Sequence, residues 1–254
     1  MLEIHIIACL KDNYSYVVHD TVTDIVGVVD PSEFGPIDNF IEKKFNKLNF
    51  IFNTHHHFDH TGGNLDLKKK YNSRIIGSLK DERRIPGIDI KLLNDDVFKF
   101  GKVDFSIILV PGHTSGHICF YSKKEKIIFT GDTLFSLGCG RVFEGTYLQM
   151  LDSITRIKKL PSDTNIYCGH EYTKKNLEFC TKFEPNNKFL EDKKNWILSK
   201  LNKKEPTIPT TIKDELNTNI FLRCDVFAIK KSLGMENSPE VEIFKKLRDL
   251  KDSF

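Results

Sequence analysis

The segment "IFNTHHHFDH", Ile51 to His60, sets four histidines and an aspartate at the end of a short apolar run, and Thr61-Gly62-Gly63 follows it. Imidazole and carboxylate are the ligands that hold zinc and similar ions. The run ahead of the cluster, "NFIFN", reads as a short buried strand, so the cluster sits where a strand ends. Along an extended tip, alternation sends His55 and His57 to one side and His56 to the other. Asp59 and His60 could then serve a second ion. One ion needs at least three protein ligands, so this segment alone cannot complete two sites.

Other strand ends offer the missing partners. "VPGHTSGH" presents His113 after Pro111-Gly112, "FTGDTLF" presents Asp132 after Gly131, and "YCGHEY" presents His170 after Gly169. In each, an apolar strand is followed by glycine and then by a ligand-type residue. Glycine lets the backbone turn sharply and keeps space near an ion. Taken singly, a histidine after a glycine is usually a loop residue, and Asp132 is a turn former. His5, His19 and His117 read as structural or exposed. Together, four such strand ends would converge on one edge of a sheet sandwich. A structural zinc site is the rival, but those sites favour cysteine and close all four positions. Histidine and aspartate suit an open, hydrolytic site.

The rest of the chain fits one large domain or a domain with an appendage. Of 254 residues, 39% are hydrophobic and 20 are Phe, enough for a sizeable core. The net charge of +3 is too small to argue for nucleic acid as a partner. No apolar run approaches the roughly 20 residues of a membrane span. The opening "MLEIHIIACL" reads as a strand and not as a signal peptide. Cys9, Cys119, Cys139, Cys168, Cys180 and Cys224 form no CxxC pair and read as free thiols of a reducing, cytoplasmic compartment.

Short strands dominate the first half, with helices over about 36–46, after Gly63 and over "TYLQMLDSITRIKKL". "VFKFGKVDFSIILV" reads as a hairpin turning at Gly101-Lys102. The order of strands and helices implies two sheets covered by helices. After His170 the apolar residues recur at helical spacing. A boundary falls near 173, giving a 1–172 unit and a mainly helical 173–254 unit. In "SPEVEIFKKLRDLKDSF", Ser238 reads as N-cap with Pro239 at the first helical position.

The set His55-x-His57-x-Asp59-His60, His113, Asp132 and His170 resembles the metallo-β-lactamase superfamily. "THHHFDHTGGN", "PGHTSGHI", "GDTLFSLGCGRVFEGT", "YCGHEYT" and the closing Arg248-x-x-Lys251-Asp252-x-Phe254 resemble, within it, the glyoxalase II (hydroxyacylglutathione hydrolase) family over essentially the whole chain.

That resemblance implies an α/β fold, the αββα sandwich, with a C-terminal mainly helical domain. It implies two divalent metal ions, Zn2+ foremost and Fe or Mn as alternatives. His55, His57 and His113 would bind one ion, Asp59, His60 and His170 the other, and Asp132 both, with His56 left over. The implied activity is hydrolysis of S-D-lactoylglutathione to D-lactate and glutathione by a hydroxide shared between the metals. Asp59 would orient that hydroxide or take its proton. Arg141, Tyr172, Arg248 and Lys251 match the family's glutathione contacts, although each charge alone reads as an ordinary exposed one. Many members carry Tyr where this chain has Phe143. The implied partner is a small glutathione thioester, with no nucleic acid and no membrane, and the chain a monomer or weak oligomer. A dioxygenase of glutathione persulfide is the nearest rival, and the helical region from Tyr172 onward discriminates against it. A silent metal-binding module is the rival from another class.

Overall fold

The computed structural model describes residues 1–254. The first sheet holds β1 (Leu2–Cys9), β2 (Asn13–Asp20), β3 (Ile25–Val29), β4 (Phe50–Phe52), β5 (Arg74–Ser78) and β6 (Ile90–Leu92), side by side in chain order. The first three pair antiparallel. From β3 onward the pairing is parallel. Parallel neighbours need a crossover. α1 (Phe34–Lys44) supplies it between β3 and β4, and α2 (Phe58–Thr61) with α3 (Asn64–Tyr71) between β4 and β5.

The second half opens with an antiparallel meander, β7 (Val97–Phe100), β8 (Val103–Leu109), β9 (Ile118–Ser122) and β10 (Ile127–Gly131). A small hairpin follows, β11 (Leu134–Phe135) with β12 (Gly138–Cys139), and then α4 (Tyr147–Lys158). A capping box between Thr146 and Gln149 starts α4. β13 (Asn165–Cys168) returns parallel to β10. The remainder is α5 (Thr173–Phe183), α6 (Lys188–Asn202), β14 (Thr210–Thr211), α7 (Ile212–Thr218), α8 (Phe227–Ser232) and α9 (Glu240–Asp252). β14 adds to β13, so the second sheet runs β14-β13-β10-β9-β8-β7. The result is two mixed sheets flanked by helices, with a C-terminal helical region.

The sheets bury an aromatic core between them. Phe52 meets Phe100, Phe105 and Phe120 edge-on, with centroids 5.7, 5.8 and 5.3 Å away. Such edge-to-face pairs add to the area they bury. Truncating Phe52, which is only 1% exposed, would cost about 3–5 kcal/mol. Ile37 and Ile41 of α1 and Leu67 of α3 seal the outer face of the first sheet over Val26, Val28 and Ile51. On the outer face of the second sheet, Ile128 and Cys119 share a core with Ile154 of α4 and with Phe179, Ile197, Phe221, Phe244 and Leu247 of the C-terminal helices.

Two local expectations change. α9 begins at Glu240, and Pro239, at φ −67° and ψ 156°, occupies the cap position itself. Its carbonyl accepts from the N–H groups of Glu242 and Ile243, a role that needs no N–H of its own. β14 is a strand inside the segment read as helical; at two residues it is too short for an alternation to show. All six cysteines are buried and unpaired. No helix is long and apolar enough to cross a membrane.

Candidate metal centre

Parallel pairing aligns the strand ends. β3, β4 and β5 run the same way, so Asp30 and the Asn53–His57 tip leave the first sheet at one edge. β10 and β13 do the same in the second sheet, with Gly131 opposite Cys168. Gly131 turns at φ +45°, and a Cβ there would strike Thr54 Oγ1. The turn therefore requires glycine, and it brings Asp132 beside His170. Asn13 bridges to His170 across the two sheets. His113 follows the end of β8.

Two groups of ligand atoms result. Nδ1 of His57 lies 3.1 Å from Nε2 of His55 and 3.1 Å from Nε2 of His113. Asp59 Oδ2 lies 3.6 Å from His60 Nε2 and 3.4 Å from His170 Nε2. Within each trio, His55-His57-His113 and Asp59-His60-His170, the ligand atoms lie within 4.8 Å of one another. Asp132 stands between the trios. Its Oδ1 is 3.3 Å from His60 Nε2, and its Oδ2 is 3.3 Å from His170 Nε2 and 3.4 Å from His113 Nε2.

Three of the histidines have the second ring nitrogen engaged. His60 Nδ1 is 3.0 Å from Asp30 Oδ2, His170 Nδ1 is 2.9 Å from Asp12 Oδ1, and His113 Nδ1 is 2.9 Å from the Arg141 carbonyl. Each must be the N–H donor, which leaves the Nε2 lone pair directed inward. Asp30 also groups with His55 and His60 at ligand distance. Its two oxygens, however, already accept from the backbone N–H and the hydroxyl of Thr54, both at 2.7 Å. Asp30 thus orients the ligand shell from outside it.

The donor set fits a pair of divalent cations. His60 Nε2 and Asp132 Oδ1 are buried without a hydrogen-bond partner of good geometry, and such orphans are costly unless an ion satisfies them. Burial holds His55 well below the usual histidine range, and burial with His113 beside it holds His57 down to about 4. Burial acts downward on His60 and His170 too, but the Asp132 carboxylate overrides it and holds both above that range. Asp132 is itself kept well below the carboxylate range, against its burial, by His170 and His60. Without cations, these three groups share protons that cations would displace.

His56 belongs to neither trio and faces Asp81 and Glu144 at 3.4 and 3.6 Å. His117 is fully buried, accepts from the Asp132 backbone N–H at 3.1 Å and stacks on His55. One cavity of about 560 Å³ joins the candidate metal ligands His57, Asp59, His113, Asp132 and His170 to Arg141, Tyr172, Lys175, Arg248 and Lys251.

Arg248, expected as a glutathione contact, is not the ordinary exposed charge that it reads as when taken alone. It is 4% exposed, its Nη1 donates to the Cys139 carbonyl at 2.6 Å, and its Nη2 lies 2.9 Å from Asp252. The helix face carries it onto the β12 hairpin, where the guanidinium satisfies a buried carbonyl. Lys251 Nζ donates to the Lys175 carbonyl at 3.1 Å over the rings of Phe179 and Phe254. Burial and Arg248 beside it hold Lys251 down to about 8. Asp12, Asp30 and Lys175 were not singled out by sequence. Asp30 ends "DIVGVVD", a strand-then-acid pattern that could have marked it.

Residues 12–170 match the model of the metallo-beta-lactamase superfamily, and residues 171–254 match that of the hydroxyacylglutathione hydrolase C-terminus. A hydroxyacylglutathione hydrolase of Pelagibacter ubique is 51% identical over 253 residues, with all of both chains covered. This chain belongs to the hydroxyacylglutathione hydrolase family. Another hydroxyacylglutathione hydrolase, from Methylococcus capsulatus, is 41% identical over 254 residues, covering 100% of this chain and 99% of its own. The family's fold extends to more distant proteins. ETHE1 from Myxococcus xanthus superposes with a TM-score of 0.67 at 21% identity, over 98% of this chain and 96% of its own.

Proposed function

We propose that the chain hydrolyses the thioester S-D-lactoylglutathione to D-lactate and glutathione. The observation that carries this reading is the single cavity in which a His/Asp ligand set opens onto a cationic recess. Glutathione bears two carboxylates, and guanidinium and ammonium groups are their natural partners. Membership of the hydroxyacylglutathione hydrolase family supports the same substrate.

His55, His57 and His113 would hold one ion, Asp59, His60 and His170 the second, and Asp132 both, with zinc the first choice for so many imidazoles. Two bound cations bring water's pKa toward neutrality and polarise a carbonyl oxygen. The protein's own groups do the rest. Asp59, partly exposed on the cavity wall and held by Asn13 Nδ2 at 3.0 Å, orients the attacking water and takes its proton. Water adds to the thioester carbon, the carbon–sulfur bond breaks, and the sulfur leaves as a thiolate that is stable near neutral pH. Cys139, the thiol in the cavity wall, is no nucleophile, because burial pushes it up to about 11. Arg141, Tyr172, Arg248 and Lys251 bind the glutathione moiety. In this reading 1–172 is the catalytic unit and 173–254 the substrate-binding unit.

The same reading makes the protein a cytoplasmic monomer or weak oligomer. The six unpaired cysteines suit a reducing compartment. The test is to supply the purified protein with Zn2+, Fe2+ or Mn2+ and follow loss of the thioester. Turnover with release of free thiol is the outcome expected. No turnover with any of the three ions would overturn the proposal.

A further inference from the structure

His56 is the histidine that neither trio uses, and it opens onto a second polar cluster behind the metal ligands. Arg84 is the centre of that cluster. Its Nη1 donates to Glu144 Oε1 at 2.6 Å, its Nε to Asp81 Oδ1 at 3.1 Å and its Nη2 to Ser115 Oγ at 3.0 Å. Glu144 Oε2 accepts from the backbone N–H of Ser115 at 2.8 Å and from its hydroxyl at 2.9 Å. Asp81 is fully buried, and Gly116 packs against its carboxylate with no room for a Cβ. The cluster thus ties the 55–57 tip, the turn at Leu79–Asp81, the 113–116 loop and the 141–145 loop together.

We propose that Arg84 and Glu144 are positioning residues, forming a latch that holds the tip of the 141–145 loop, and with it Phe143 and Arg141, over the substrate cavity. The ends of the loop are fixed independently: Gly140 N–H donates to Thr133 O at 3.2 Å, and Gly145 N–H to Gly112 O at 3.1 Å. Between those ends the Arg141 carbonyl accepts from His113 Nδ1 at 2.9 Å and Val142 packs on the core outside the second sheet, while the Glu144 side of the tip is held by the latch. Phe143 is 60% exposed and touches only the ring edges of His57 and His113, with centroids 5.9 and 5.2 Å away. The Arg141 side chain has a single ionic partner, Asp252 at 3.4 Å. An ordinary exposed ion pair contributes about 0–1 kcal/mol. This one adds a backbone N–H and two hydroxyl contacts, and its guanidinium is braced by a buried carboxylate, so its geometry is preset. The Glu144 carboxyl is held down to about 2 against its burial by Ser115 and Arg84. Arg84 and Glu144 touch no metal ligand side chain themselves, and the Arg141 carbonyl that accepts from His113 sits next to the independently anchored Gly140, so the latch acts chiefly on substrate binding.

This inference rests on the hydrolase reading, and the test separates the two. Glu144→Ala and Glu144→Gln are compared with wild type in the metal-loaded full chain on S-D-lactoylglutathione. Arg84 is left in place because removing it would strand the buried Asp81. Loss of one charge-assisted contact predicts a KM about 10-fold higher for Glu144→Ala, and an intermediate rise for Glu144→Gln, which can keep the Ser115 contacts. kcat and metal content should stay at the wild-type level. Amide hydrogen exchange at 141–144 should quicken in Glu144→Ala, with no change at 55–57. Wild-type KM and wild-type exchange would overturn the latch, and so would metal loss in parallel with KM. Faster exchange in a protein that does not hydrolyse the thioester would keep the latch and remove the hydrolase reading.

Discussion

The ring of Tyr172 lies parallel to that of His170, 2° apart in plane and 4.7 Å between centroids. Phe135 flanks the pair, edge-on to Tyr172 at 5.3 Å and to His170 at 5.9 Å. One residue thus packs its face on a candidate metal ligand and also lines the cavity. Tyr172→Phe keeps the stack and removes one donor, so KM should rise about 2- to 12-fold with metal content unchanged. Tyr172→Ala should also weaken metal retention. Kinetics and metal analysis of the two variants would separate these roles; equal metal loss in both would deny the stacking role.

Asp132 is the residue both trios share. Asp132→Ala leaves the Nε2 atoms of His60, His113 and His170 without their common carboxylate. Metal content should drop from about two equivalents per chain, and kcat/KM by at least about 100-fold. Elemental analysis of protein purified without chelator would check the first figure. One equivalent in fully active wild type would contradict a two-ion centre.

The three adjacent histidines should behave unequally. His55→Ala and His57→Ala should lose metal, because their nitrogens converge with that of His113. His56→Ala should retain it, because its ring contacts Asp81 and Glu144 instead. Titration with a chromophoric chelator would rank the three, and equal affinities would refute the assignment.

Lys251 supplies the pH dependence. Its ammonium is held down to about 8 by burial and by Arg248, so its charge is present below that pH and lost as pH rises through it. KM should be flat below pH 8 and climb above it. Lys251→Ala should raise KM by about 10-fold at pH 7 and abolish the climb. Arg248→Ala should raise KM too, but it also leaves the Cys139 carbonyl unpaired, so it should lower thermal stability by about 1–3 kcal/mol. Paired kinetics and melting curves would show whether the two cations differ in this way.

The convergence of the candidate ligands was legible because each follows a strand end within a few residues, a pattern local to the chain. Their supports were not. Asp12 holds His170 across 158 positions, and that pairing exists only once the sheets have met. The burial of Arg248 is not legible for a similar reason. Helical spacing shows which face it shares with Lys251, but the β12 hairpin that buries that face is 109 residues away. Pro239 shows a smaller limit: a proline beside a serine marks a helix start to within a residue, and its own carbonyl decided which.

The buried cysteines have a consequence for the chemistry. Each turnover of the proposed reaction releases glutathione, and the disulfide of glutathione exchanges with any protein thiolate within reach. Burial raises all six thiols, Cys139 to about 11 and Cys180 to about 12, and Cys139, the one in the cavity wall, is only 4% exposed. The protein therefore presents no ready thiolate to glutathione disulfide, and can work beside it without forming a mixed disulfide.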